Sequence, residues 1–195
     1  MEGSDRDQRM GLSPTTTLVR GEDRIVTVRI RPAAHADGEA TEQIEIAADA
    51  LLVDRFAAAD WPPPTTAEER ASSPGFVLVA EWTAAAAPAR PVGFVHVLEV
   101  DGHAHLEQLS VLPAHGRRGI GRALVTAALD EARRRGHQTV TLRTYADVPW
   151  NAPFYASCGF LETSPGTDFH RRLVVTEDAL QLSEHGRRVQ MSISL

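Results

Sequence analysis

The stretch that most limits what this chain can fold into is SVLPAHGRRGIGRAL, Ser110 to Leu124. It joins a strand-like run to a helix-like one through glycines at 116, 119 and 121 and arginines at 117, 118 and 122. The first-turn N–H groups of a helix that opens this way have no internal partners. With the positive end of the helix dipole they make an anion site. Glycine lets a ligand approach the backbone with no side chain in between. The alternative is a tight turn with a solvated basic face.

Two phosphate-binding classes can be tested against the residues. A P-loop needs a lysine after its glycines, and the sequence has no lysine, all 20 basic residues being arginine. A dinucleotide fold needs G-x-G-x-x-G and an acidic residue about 20 positions on. From Gly119 the chain reads GIGRAL, with leucine in the third glycine place, and QTVTLRT further on carries no acid. Both classes are excluded.

Periodicity gives the rest of the order. RIVTVRIRPA is a first strand, and residues 37–61 carry apolar positions at helical spacing (Ile44, Ala48, Leu51 or Leu52, Phe56) for one or two helices, stopped at Pro62–Pro64. GFVLVAEW and PVGFVHVLEV pair as a hairpin. A further strand, HAHLEQLSVL, is entered through an Asp101–Gly102 turn. Ile120, Leu124, Ala127, Ala128 and Ala132 form the apolar stripe of a helix ending near Gly136. QTVTLRT is a strand, NAPFYASC a short helix and RVQMSISL a last strand, while Glu162 to Arg188 gives no clear pattern. This order predicts an α/β domain with a mixed, mostly antiparallel sheet flanked by helices.

The glycine turn resembles the acetyl-CoA signature [Q/R]-x-x-G-x-[G/A] of the GCN5-related N-acetyltransferase (GNAT) family. RGIGRA, Arg118 to Ala123, matches it, and GRRGIG gives an overlapping register. NAPFYASCGF, Asn151 to Phe160, is similar to the family's second signature in compact form. The resemblance covers roughly Arg24 to Phe160 and the terminal strand. It implies a splayed strand pair holding acyl-CoA. The N–H groups of Arg117, Arg118, Gly119, Ile120, Gly121 and Arg122 would cradle the pyrophosphate, and the backbone of Leu109, Ser110 and Val111 would bond the pantetheine. Asn151 would contact the same arm, its alternative being a helix N-cap.

The family's chemistry transfers an acetyl group from acetyl-CoA to an amine. Leu106, Leu109, Val111 and Leu112 cannot share one face of an uninterrupted strand, so a bulge is expected there. Glu107, beside it, is the candidate base for the amine proton; an exposed or paired glutamate is the alternative, and His105 could share the role. Tyr155 is the candidate acid at the departing sulfur. Trp61, Tyr145, Asp147 and Trp150 are candidates to line the acceptor site, as aromatic surface and, for Asp147, as an attractor of a cationic amine.

The expected function is an N-acetyltransferase with acetyl-CoA as cosubstrate and a small-molecule amine or peptide N-terminus as acceptor. A non-catalytic acyl-CoA-binding module of the same fold is the alternative. Residues 1–23 read as a flexible tail and 24–195 as one acetyltransferase domain. The net charge of −6 argues against nucleic acid as a partner, and no run is long enough to span a membrane. A cytoplasmic protein is expected, with a homodimer among its expected assemblies. Cys158, the lone cysteine, reads as a structural thiol, and no metal site is expected.

Overall fold

The computed structural model describes residues 15–21, 24–84 and 88–195. Its strands are β1 (Thr15–Gly21), β2 (Arg24–Pro32), β3 (Gly75–Thr83), β4 (Arg90–Val100), β5 (His103–Val111), β6 (Thr139–Tyr145), β7 (Leu161–Thr163) and β8 (Arg188–Ser194). They form one sheet in the order β1-β2-β3-β4-β5-β6-β8-β7. Every neighbouring pair is antiparallel except β5 and β6. This is the mixed, mostly antiparallel sheet that the sequence predicts.

One expectation is corrected at the N-terminus. Thr15–Gly21, expected within a flexible tail, is a strand paired with β2, with Thr15 opposite Ile30 and Gly21 opposite Arg24. Its run TTTLVR is rich in β-branched residues, which suit a pleated surface. Residues 1–14 and 22–23 lie outside the described residues.

Helix α3 (Ile120–Arg134) packs on one face of the sheet. Ile120, Leu124, Ala128 and Ala132 of its stripe are buried in a core with Leu78, Val95, Val97, Leu106, Val140 and Leu142. Each fully buried leucine contributes about 1.5–3 kcal/mol. Its C-terminal arginines bond Glu131, and Gly136 turns the chain at φ 90°.

The other face carries α1 (Gly38–Phe56), a single helix, and α2 (Ala67–Ser72). Ile44 of α1 packs with Val79 and Phe94. The short α2 follows the proline stop and opens with a capping box. Glu69 N–H donates to Thr66 Oγ1 (3.2 Å) and Thr66 N–H to Glu69 Oε2 (2.9 Å). Arg70 of α2 ion-pairs with Glu45 of α1 and lies 4.6 Å from the Phe94 ring centroid, tying both helices to β4.

The segment with no clear sequence pattern contains β7 and α5 (Asp168–Ala179). Thr167 caps α5, accepting from His170 N–H at 3.2 Å. Helix α5 fastens to the sheet through Glu177, which pairs with Arg143 of β6 and Arg188 of β8.

Candidate active site

Strand β5 has different neighbours along its length. It pairs with β4 out to Val111 but with β6 only from Ala104 to Leu106, where Leu106 faces Leu142. Beyond Leu106 the two parallel strands part. The expected bulge lies at this fork: His96 is opposite Gln108 while Val97 is opposite Leu106, so Glu107 is the extra residue. Past it, Ser110 is buried and accepts from Gln108 Nε2 at 2.9 Å, and Leu109 and Val111 are half-buried against the core. On the side toward β6 the backbone of Leu109, Ser110 and Val111 has no strand partner among the described residues.

The glycine turn follows directly. Arg117 takes φ 59°, and Gly119, the residue before α3, takes φ 80°. That left-handed conformation favours glycine, and a Cβ there would meet nothing within 4 Å. The α3 N-terminus has no side-chain cap, so the amides of Ile120, Gly121 and Arg122 keep their donors for a ligand. At Gly121 a Cβ would touch the Phe154 ring at 3.4 Å. Exposed Arg117 and Arg118 border the turn, with the Arg118 guanidinium 5.4 Å from the Trp82 ring centroid. The side chain of Arg122 does not join them. Its Nη1 donates to the Ser157 carbonyl at 2.7 Å and its Nη2 to Ser157 Oγ at 2.8 Å, because the C-terminal end of a neighbouring helix attracts a guanidinium. Arg122 offers the turn its backbone amide only.

Glu107 stands where the strands part, 44% exposed along its side chain. It opens to solvent on one side and is crowded by protein on the others. That desolvation, with the charge of Glu177, raises its carboxyl above the ordinary carboxylate range, while Arg188 pulls the other way. Behind it His105 is buried, with Nε2 3.7 Å from Glu107 Oε2 and Nδ1 2.9 Å from Thr141 Oγ1. Burial, with the charges of His170, Arg143 and Arg188, lowers the His105 pKa to about 3, so the ring is neutral.

Tyr155 sits on α4 (Ala152–Ser157), 8% exposed, with its ring edge-on to Phe154 (5.2 Å) and Phe160 (5.8 Å). Burial raises its phenol pKa, with Cys158 adding to the rise and Arg188 opposing it, so the hydroxyl keeps its proton at neutral pH. Asn151 precedes α4 and accepts from Tyr155 N–H through its carbonyl at 3.0 Å; its side chain makes no cap bond. Cys158 is half-buried, and burial pushes its thiol up, consistent with a structural group.

On the face opposite α3, Trp61 and Tyr145 come together with ring centroids 6.3 Å apart. Phe56 lies 4.8 Å from Tyr145, and His185 5.6 Å from Trp61. The Trp61 indole donates to Asp49 Oδ2 at 3.3 Å. The other two acceptor candidates meet at Arg55, the chain neighbour of Phe56. Its Nη2 donates to the Asp147 carbonyl at 3.3 Å, and its guanidinium lies 5.8 Å from the Trp150 ring centroid. That bond uses the Asp147 backbone and leaves its carboxylate out of the contact.

Sequence reasoning missed Thr141, Arg143, Glu177, Arg188, Phe56 and His185. Glu177 was findable in part, since Thr167–Asp168 is a helix-start signal followed by an apolar repeat at Phe169 and Leu173. Nothing local marks Arg143 or Arg188 as its partners.

Residues 44–160 match the model of the acetyltransferase (GNAT) family. Solved structures are similar over most of this chain. The PaiA N-acetyltransferase of Thermoplasma acidophilum, in complex with coenzyme A, is 15% identical over 86% of this chain and 99% of its own, with a TM-score of 0.63. Rv2747 of Mycobacterium tuberculosis, in complex with CoA and NLQ, is 21% identical over 85% and 98%, with a TM-score of 0.60. The ribosomal-protein-S18-alanine N-acetyltransferase of Escherichia coli is 24% identical over 86% and 93%, with a TM-score of 0.58. With its parted β5–β6 pair, its glycine turn and a family match across more than half its length, this chain belongs to the GNAT acetyltransferase family.

Proposed function

We propose that the chain is an N-acetyltransferase moving the acetyl group of acetyl-CoA to a primary amine, on a small molecule or a peptide N-terminus, by direct attack. One observation carries this reading. The run from Glu107 to Gly121 supplies, without interruption, a bulged carboxylate, an unpaired strand edge and an uncapped helix N-terminus. The edge and the amides suit a long, phosphate-bearing cosubstrate, and the carboxylate stands where they begin.

Acetyl-CoA, held by the amides of Arg117 to Arg122 and the backbone of Leu109, Ser110 and Val111, supplies an activated thioester. The amine must be neutral to attack. Glu107, its carboxyl raised toward the operating pH, accepts the amine proton on a carboxylate oxygen. Tyr155, protonated at neutral pH, donates its hydroxyl proton to the departing sulfur. Asn151 steadies the arm beside it.

A thiol-release assay with acetyl-CoA against polyamines, amino acids and peptides beginning with alanine tests catalysis and acceptor class together. Free thiol should appear with one class and not the others. No thiol release with any amine, together with saturable coenzyme A binding by calorimetry, would instead support a binding module.

A further inference from the structure

Glu107 is faced from several elements. His105 lies behind it on β5, Glu177 comes from α5 and Arg188 from β8. Arg143 of β6 and His170 of α5 act on His105 in turn. Glu177 already pairs with Arg143 and Arg188, so those charges are largely spent on one another. His105 is the group nearest Glu107 whose hydrogen-bonding state is still open. Its two nitrogens have different surroundings.

Thr141 touches the nitrogen that decides the tautomer. Its Oγ1 lies 2.9 Å from His105 Nδ1 and 3.4 Å from the Ala104 carbonyl. A carbonyl can only accept, so making both contacts at once sends the hydroxyl proton to Ala104 and leaves an Oγ1 lone pair to accept from Nδ1–H. A neutral imidazole with its proton on Nδ1 has a bare lone pair on Nε2. That nitrogen faces Glu107 Oε2 at 3.7 Å, just outside hydrogen-bond length, so the bond requires the half-exposed glutamate to rotate.

We propose that Thr141 is a positioning residue for deprotonation of the amine: by holding His105 as the Nδ1–H tautomer, it presents Glu107 with an acceptor that favours the carboxyl in its proton-bearing state. This rests on the reading of Glu107 as the base. In the step, one amine N–H bond breaks and its electron pair stays on nitrogen. A Glu107 O–H bond forms, and the new hydroxyl donates to His105 Nε2. The opposite tautomer would donate to the carboxylate, hold it ionised and make it a weaker base.

The test is a carbon-13 NMR titration of the glutamate carboxyls in the full chain, with Glu107 assigned by its absence in Glu107→Gln. Thr141→Val keeps the shape and removes the hydroxyl; Thr141→Ser restores it. The Glu107 midpoint should fall by about one pH unit, tenfold in acid dissociation, in Thr141→Val and return in Thr141→Ser. Nitrogen-15 NMR should show the His105 proton on Nδ1 in the wild type and on Nε2 in Thr141→Val. An unchanged Glu107 midpoint in folded Thr141→Val, or a wild-type ring protonated on Nε2, overturns the proposal. If Thr141→Val does not fold, the wild-type tautomer decides alone. Failure of the base reading looks different: Glu107→Gln would keep wild-type turnover with the fastest amine while the NMR results stand.

Discussion

The turn between β5 and α3 and the crossing between β7 and β8 are made of different material. The turn works through backbone: Gly119 at φ 80°, uncapped amides and a strand edge, all within one short run. The crossing works through side chains that meet across long stretches of sequence. Glu177 bonds Arg143, 34 residues away, at 2.7 Å, and Tyr145 donates to the Leu182 carbonyl, 37 residues away, at 3.0 Å. A site made of backbone is local, so its chemistry is written in consecutive letters. A site made of side chains depends on the fold that assembles it.

The sharpest way to break this contrast is to remove the side chain that holds the crossing. Glu177 is 8% exposed and lies between two guanidinium groups. Glu177→Ala leaves both buried charges without their partner, a loss of about 3–5 kcal/mol. Chemical denaturation should report it, while coenzyme A affinity of the folded fraction stays near wild type. A loss under about 1 kcal/mol would mean that the arginines find solvent and that α5 is held by Phe169 and its apolar neighbours instead.

Tyr155 belongs to both regions, since its helix touches the turn through Phe154 while its hydroxyl is assigned to chemistry. Tyr155→Phe keeps the ring contacts with Phe154 and Phe160 and removes the phenol hydroxyl. Single-turnover acetyl transfer should fall by about 10²-fold with acetyl-CoA binding intact. Identical single-turnover rates would leave Tyr155 as packing and return the proton step to solvent.

The same contrast explains what was legible. The sheet class, the α3 stripe, the bulge and the glycine turn follow from period and short motifs. The β1 strand was lost because charge and small polar residues around Thr15–Gly21 look like a tail until β2 is there to pair with it. The side-chain contact of Arg122 was not legible because its partner, Ser157, is 35 residues on and belongs to another helix. The Arg55 contact to the Asp147 carbonyl was out of reach because 92 residues separate the two. Each miss is a contact between distant segments.

A third prediction sharpens the backbone half. Gly119→Val forces a β-branched residue into a left-handed conformation, at a cost of about 1–3 kcal/mol, although its Cβ meets nothing in the protein. Because there is no clash to relieve, the chain should still fold, and the damage should appear in calorimetry as weaker coenzyme A binding at the reshaped turn. Gly119→Ala should fall between the two. If Gly119→Val binds coenzyme A as the wild type does, the left-handed turn is not part of the cosubstrate site.

The smallest effect concerns ionisation, which a backbone-made turn does not feel and a side-chain-made face does. His96 of β4 is 3% exposed and its Nε2 has no partner. Burial, with Arg70 nearby, lowers its pKa to about 4, below the value of about 6.5 it regains on unfolding. The unfolded chain therefore binds the extra proton between pH 6.5 and 4, and the stability that neutral His96 permits is lost as pH falls through that window. Glu45 and Asp49 on the same face have raised values and act with the opposite sign, so the whole protein's curve is a mixture. Comparison with His96→Leu removes them. Relative to that variant, the wild type should lose about 1 kcal/mol between pH 7 and 5.5 and level off below pH 4. A pH-independent difference would mean that His96 already carries its proton in the folded chain. The most direct source of compensation would then be Glu45 giving up its bond to Arg70, which a shift in the Glu45 carboxyl resonance would report.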